Sequence, residues 1–235
     1  LADRLAWVFV SGYQAAVRRC FPELVADSGW TCLAAAEGRG GPGCQLDTAG
    51  EGLRLNGEKS WVAGAAVLES LVVSVGEGDD RAFAAVLAED PGVSIDLPRE
   101  PGFLAEMSQG VARFDDAAVT DVVREPARAL LFRGAEPLYV MLALNACLRH
   151  RAEAAGRADL AALADQAIAY GSSLPAVLGE KAAILSGLAE LRTLTAAVLR
   201  AAEQMVADYP SLAASWQADA RLFAMFGIKQ EETVA

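Results

Sequence analysis

LRLNGEKSWVAGAAVLESLVVSV, residues 53–75, is the stretch whose reading decides the fold. Leu53, Arg54 and Leu55 alternate apolar and polar, and Asn56-Gly57 follows, the dipeptide that best tolerates the two positive φ angles of a type I′ turn. Residues 58–63 run back to a small-residue turn at Gly64-Ala65-Ala66, and residues 70–75 are a β-branched run long enough for a buried strand. The pattern predicts a hairpin feeding a third strand. With a two-residue loop, Arg54 lies opposite Lys59 and Gly52 opposite Trp61. Lys59 and Trp61 then share one face, and Leu53, Leu55 and Val62 share the other. An indole on the charged side points to a ligand or another element against the Trp61 face.

Short strand candidates surround this stretch. Residues 30–36 (WTCLAAA) precede it, followed by a loop at 37–43 (EGRGGPG). Residues 81–88, 93–97 and 111–114 come after it, separated by turns at 76–80, 90–92, 98–102 and 115–116. Strands at such spacing read as a small antiparallel β-barrel or sandwich. The ends of the chain are helical. Leu5, Val8, Phe9, Tyr13, Ala16 and Val17 stand at helical spacing, with Arg18-Arg19 in the last turn, where cations suit the helix dipole. Beyond residue 126 the apolar period becomes helical. A pattern begins at Leu138, a second helix runs through Leu160 to Ile168, and a stripe from Ile184 to Met205 makes about seven turns. Residues 212–226 read as the last helix. The fold class is α+β: an N-terminal helix in 1–27, a β domain over 28–126 and an up-down helical bundle over 127–235.

Composition narrows the function. Of 235 residues, 54% are hydrophobic, enough for a sizeable core. The formal net charge of −11 disfavours nucleic acid, which offers nothing to an acidic surface, although a local basic pocket for a phosphorylated small molecule is compatible with it. Cys20, Cys32, Cys44 and Cys147 form no CxxC and no metal-type pairing with the only histidine, His150, so free thiols in a reducing cytoplasm are expected and no metal site. No run of about 18 uncharged apolar residues is present, so no membrane span is expected. The first residues carry no signal-peptide pattern, and the chain opens on Leu rather than Met.

Few motifs carry chemistry by themselves. Residues 38–43 satisfy G-x-G-x-x-G, but Thr48, Gly50 and Gly52 follow where a dinucleotide fold needs a helix, and Pro42 lacks an N–H. G-x-S-x-G, H-E-x-x-H and Walker sequences are absent. Arg149, Arg151 and Arg157 interleave with Glu153 and Asp159, the pattern of a solvated helix face. Trp7, Trp30 and Trp216 read as core or interface residues.

Leu55, Asn56, Gly57, Lys59 and Trp61 resemble the strand motif of the acyl-CoA dehydrogenase family, leucine-asparagine-glycine-x-lysine-x-tryptophan-isoleucine-threonine. LAAAEGRGGPG, residues 33–43, resembles that family's threonine-glutamate-proline loop, with Glu37 and Gly41 in place, and FDDAAV, residues 114–119, its exit strand. The resemblance covers about residues 28–226 and implies a flavin fold that takes FAD and an acyl-CoA thioester, in fatty acid metabolism. Carried over position by position, the cofactor-binding residues are Leu33, Ala35, Ala36, Pro42, Trp61 and Ala63. Ala36 and Ala63 stand where the family has threonines that bond the isoalloxazine, and Pro42 where it has serine. No residue is assigned as the usual catalytic glutamate. Some relatives place the base on the first helix of the bundle, near Glu136, although the best register puts Leu138 there; the other reading of Glu136 is a helix N-terminal carboxylate. Two functions follow: an FAD-dependent acyl-CoA dehydrogenase, or a non-catalytic homologue that partners a full-length dehydrogenase or binds thioesters. Both imply a homo-oligomer, or a hetero-oligomer with a related subunit, through the helical bundle.

Overall fold

A computed structural model describes residues 4–25, 29–38, 43–49, 52–97 and 103–228. The chain divides into two compact units. One collects the described parts of Val17–Pro101 and Met107–Ala129; the other those of Leu1–Ala16, Gly102–Glu106 and Leu130–Ala235.

The first unit is a seven-stranded mixed sheet. Its strands are β1 (Thr31–Ala34), β2 (Gln45–Ala49), β3 (Gly52–Ala63), β4 (Ser70–Val75), β5 (Ala82–Leu87), β6 (Val93–Asp96) and β7 (Gln109–Val123). The order is β1-β4-β5-β7-β3-β2, with β6 also on β7. β7 is the hub: Phe83↔Val123 ties it to β5, Lys59↔Ala112 to β3 and Ile95↔Ala112 to β6. The pairing is antiparallel except between β1 and β4, which run parallel. β4 is buried along its whole length, as its uninterrupted Leu71-Val72-Val73 run requires.

The deciding stretch is not the expected hairpin. Residues 52–63 form one continuous strand through Asn56-Gly57, and the partner on that side is β2, with Gln45 opposite Asn56 and Ala49 opposite Gly52. Gly57 keeps its positive φ, +128°, but spends it on a bulge: the register with β7 shifts between Leu55 and Gly57. Asp116, at φ +55°, is the matching irregularity on β7, so Asp115-Asp116 bends that strand instead of ending it. A second shift falls between Lys59 and Val62. It separates two residues assigned to one face. Lys59 points inward, 1% exposed, while Trp61 stays half-buried.

The second unit is helical: α1 (Leu5–Cys20, up to Ala16), α2 (Ala127–Ala154, from Leu130), α3 (Ala158–Ser173), α4 (Lys181–Ala207), α5 (Pro210–Asp219) and α6 (Arg221–Met225). The last helix expected over 212–226 is thus two short ones. α1 meets α2 backbone to backbone, since a Cβ on Gly12 would collide with Val140 and the Tyr139 carbonyl. Tyr13 meets Phe132 edge-on at 5.8 Å. The α4 stripe, Ile184, Leu188, Leu191, Val198 and Ala202, is buried as its spacing predicts. By length and composition α4 could cross a membrane, and 44% of its apolar window is buried within the protein. Asn145 of α2 and Thr195 of α4, both fully buried, share a 2.9 Å hydrogen bond across the bundle.

Candidate functional site

Three of the family-derived positions stand where β1 passes β3. Leu33 is buried in β1 opposite Val72 of β4. Ala35 and Ala36 follow it and are exposed. The Ala36 carbonyl accepts the Ser60 N–H at 2.9 Å, so the chain leaving β1 is stitched to β3 one residue before Trp61. Ala63 is buried, and its N–H donates to Cys32 Sγ at 3.3 Å. The structure therefore brings Leu33, Ala35 and Ala36 beside Trp61 and Ala63. Pro42, with most of the glycine-rich run, lies outside the described residues.

Trp61 borders a cleft of about 390 Å³ lined by Ser60, Trp61, Asp96, Leu97, Gln109, Gly110 and Val111. Gln109 Oε1 accepts the indole N–H at 2.9 Å and fixes the ring. Asp96 on the cleft's rim is paired with Arg113, which also holds Glu58 at 2.8 Å. Sequence reasoning missed Gln109 and Asp96. Their signal is the pairing of β6 and β7 against β3, which residue types alone do not encode.

Glu37 and Lys59 make a second ion pair near the site, Oε1 to Nζ at 2.6 Å. Its partners differ sharply: Lys59 is 1% exposed and Glu37 41%. Cys44 lies close by, its thiol 3.7 Å from the Glu58 carbonyl. Burial pushes that thiol up to about 11, against a smaller opposing pull from Lys59. Cys20 is driven to about 12 by the same cause. All four cysteines are buried, and none is in a disulfide.

In the helical unit, Glu136 stands ten residues into α2, so it is not a helix N-terminal carboxylate. Desolvation raises its carboxyl from 4.5 to about 7. His150 is exposed, and no cluster of metal-ligating side chains occurs among the described residues. Arg149 pairs with Glu153 and Asp165, and Arg157 with Asp159, the solvated face that their alternation predicts.

The site meets a flavin ring half-way. The Trp61 indole lines an open cleft and gives it an aromatic wall. Ala36 and Ala63 contribute backbone only, and the Ala63 N–H is engaged with sulfur, a weak acceptor.

No protein-family model matches the sequence, and no curated protein matches it. Solved structures do. The TdsC complex from Paenibacillus sp. A11-2 with FMN and indole aligns at TM-score 0.68 and 12% identity, over 95% of this chain and 76% of that one. A probable acyl-CoA dehydrogenase from Mycobacterium abscessus aligns at 0.60 and 12%, over 95% and 77%. A glutaryl-CoA dehydrogenase from Mycobacterium smegmatis in complex with FADH2 aligns at 0.56 and 11%, over 81% and 62%. At these identities the likeness is one of fold: α+β, acyl-CoA dehydrogenase-like.

Proposed function

We propose that this chain is a cytoplasmic FAD-dependent oxidoreductase that desaturates an acyl-CoA thioester between Cα and Cβ, working as an oligomer. The observation that carries the reading is the cleft beside Trp61, where the chain leaving β1 is bonded to β3, in a fold shared with flavin-bound structures; Glu136 adds a candidate base. A carboxyl held near 7 exchanges its proton at neutral pH, which is what a general base needs. Trp61 and the backbone at Ala36 and Ala63 would hold the flavin ring, the weak bond from the Ala63 N–H to Cys32 Sγ giving way to it. FAD, when bound, would supply a hydride acceptor for the hydrogen on Cβ. In such a desaturation a general base would take the proton from Cα, and the electron pair left behind would form the Cα–Cβ double bond as the hydride departs; Glu136, in the helical unit, is the carboxyl whose proton affinity suits that base. A thioester carbonyl acidifies that α proton.

Two measurements test this. Purified protein mixed with FAD is expected to retain a flavin absorption band through gel filtration. Glu136→Gln is then expected to lower turnover of acyl-CoA by about 10² to 10⁴-fold while keeping the bound flavin. A colourless protein whose melting temperature is unmoved by FAD overturns the reading.

A second reading has its own support. Alanines at 36 and 63 remove both side-chain donors to the ring. A non-catalytic homologue that pairs with a complete dehydrogenase would tolerate that loss. Co-purification with an active dehydrogenase, the present chain remaining flavin-free, distinguishes it.

A further inference from the structure

We infer that the buried Lys59 and its partner Glu37 form a latch that positions the chain after β1 for ligand binding, a role distinct from stabilising the fold. The inference rests on the flavin reading for the identity of the ligand, and on geometry for the latch itself.

A lysine 1% exposed on the inner face of a sheet is a poor stabiliser. Desolvating an ammonium is costly, and an ion pair regains that cost only with good geometry. An apolar side chain of the same length at position 59, between Leu55 and Val62 on the inward face, would serve the core at least as well. What the charge adds is direction. Lys59 Nζ reaches Glu37 Oε1 at 2.6 Å, and the neighbouring Ser60 N–H reaches the Ala36 carbonyl at 2.9 Å. Two adjacent residues of β3 thus grip two adjacent residues of the exposed segment. Nothing else pins that segment among the described contacts: Ala35, Ala36 and Glu37 are all exposed. The same carboxylate also lies against Gly43, where a Cβ would stand 3.4 Å from it. The energetic asymmetry is distinctive. Losing Lys59 leaves a Glu37 that water can solvate. Losing Glu37 leaves a buried, uncompensated ammonium.

The test uses the full chain and three variants: Lys59→Met, Glu37→Gln and the double variant Lys59→Met/Glu37→Gln. Hydrogen exchange at the Ser60 amide reads the latch without any ligand. It is expected to speed up in all three. Thermal melting reads the fold: Lys59→Met and the double variant are expected to keep the wild-type melting temperature to within about 4 °C, whereas Glu37→Gln falls below both. FAD titration reads ligand positioning, with the dissociation constant expected to rise about tenfold in Lys59→Met, the equivalent of one well-placed hydrogen bond. Unchanged Ser60 exchange in Lys59→Met overturns the latch. Unchanged FAD affinity in a variant whose Ser60 exchange has quickened overturns its link to binding. If the wild-type protein takes up no FAD, the flavin reading fails, and the exchange and melting data still decide whether the latch exists.

Discussion

Glu136 ties folding stability to pH. Its carboxyl is raised to about 7 by burial, while in the unfolded chain it titrates at the ordinary value near 4.5. Below that lower value the proton is on in both states, and its contribution to stability is fully present. As pH rises through the interval, the unfolded chain gives up the proton that the folded chain keeps, and stability drains away until about pH 7 is passed. At roughly 1.4 kcal/mol per pH unit the total is about 2–3 kcal/mol, the lower end applying because the side chain keeps some contact with water. Glu136→Gln is therefore expected to be more stable than the wild type at pH 8 and level with it at pH 4, measured by urea unfolding at both. An equal difference at the two pH values would show that Glu136 does not titrate in this window. The alanines make the complementary prediction. Ala36 is exposed, so Ala36→Thr has room for its hydroxyl and is expected to tighten FAD binding by about 3- to 10-fold, one hydrogen bond's worth. Ala63 is buried, and Ala63→Thr is expected to lower the melting temperature first. Flavin titration of the two variants, beside their melting curves, checks both.

At the level of elements, the bulge at Gly57 is the feature on which β3 depends. A Cβ there would stand 2.8 Å from both the Cys44 Cα and the Gly43 carbonyl, on a backbone at φ +128°. Gly57→Ala therefore meets strain and collision together and is expected to cost about 2–4 kcal/mol by denaturant unfolding. Gly156, at φ +68° with nothing within 4 Å of a Cβ, supplies the control: Gly156→Ala is expected to cost only about 1 kcal/mol. Equal losses at the two glycines would remove the bulge from the account. The same glycine shows how far the elements were legible. Of the two positive φ angles that a type I′ turn at Asn56-Gly57 requires, only that of Gly57 occurs, because the glycine serves a bulge instead, and only the partner strand separates the two uses. That partner, β2, was hidden because Gln45, Asp47 and Thr48 face solvent on a sheet edge and offer no apolar alternation. Strict alternation puts Lys59 on the face of Trp61; the bulge between Lys59 and Val62 breaks that parity and leaves Lys59 in the core. The helices were read more faithfully, since a 3.6-residue stripe such as Ile184 to Met205 survives one misplaced residue. Glu136 was misread only because the start of α2 lies at Ala127, upstream of the first strong apolar period. The raised carboxyl itself comes from packing across the chain, which no local pattern carries.

Over the whole molecule, charge sets how an anionic ligand arrives. The net charge is −11, and among the described residues Arg4, Lys59, Arg113, Arg128, Arg149 and Arg157 are engaged with carboxylates. FAD and acyl-CoA both carry phosphates, so either approaches a surface of its own sign. Like charges repel over a Debye length, about 30 Å at 0.01 M salt and about 8 Å at 0.15 M. Screening should then help rather than hinder association, the opposite of the steering found where a basic cleft meets an acidic ligand. The association rate of FAD, followed by stopped-flow quenching of flavin fluorescence, is expected to rise as salt increases from about 0.01 to 0.15 M, with a much smaller change in dissociation rate. A rate that falls with salt would mean that a local positive field dominates at the mouth of the site. Arg54, Arg124 and Arg133, which have no carboxylate among their hydrogen-bond partners in the described set, would be the first places to look for its source. The direction of that single slope thus decides whether ligand recognition here is governed by the chain's overall acidity or by a few cations that escape it.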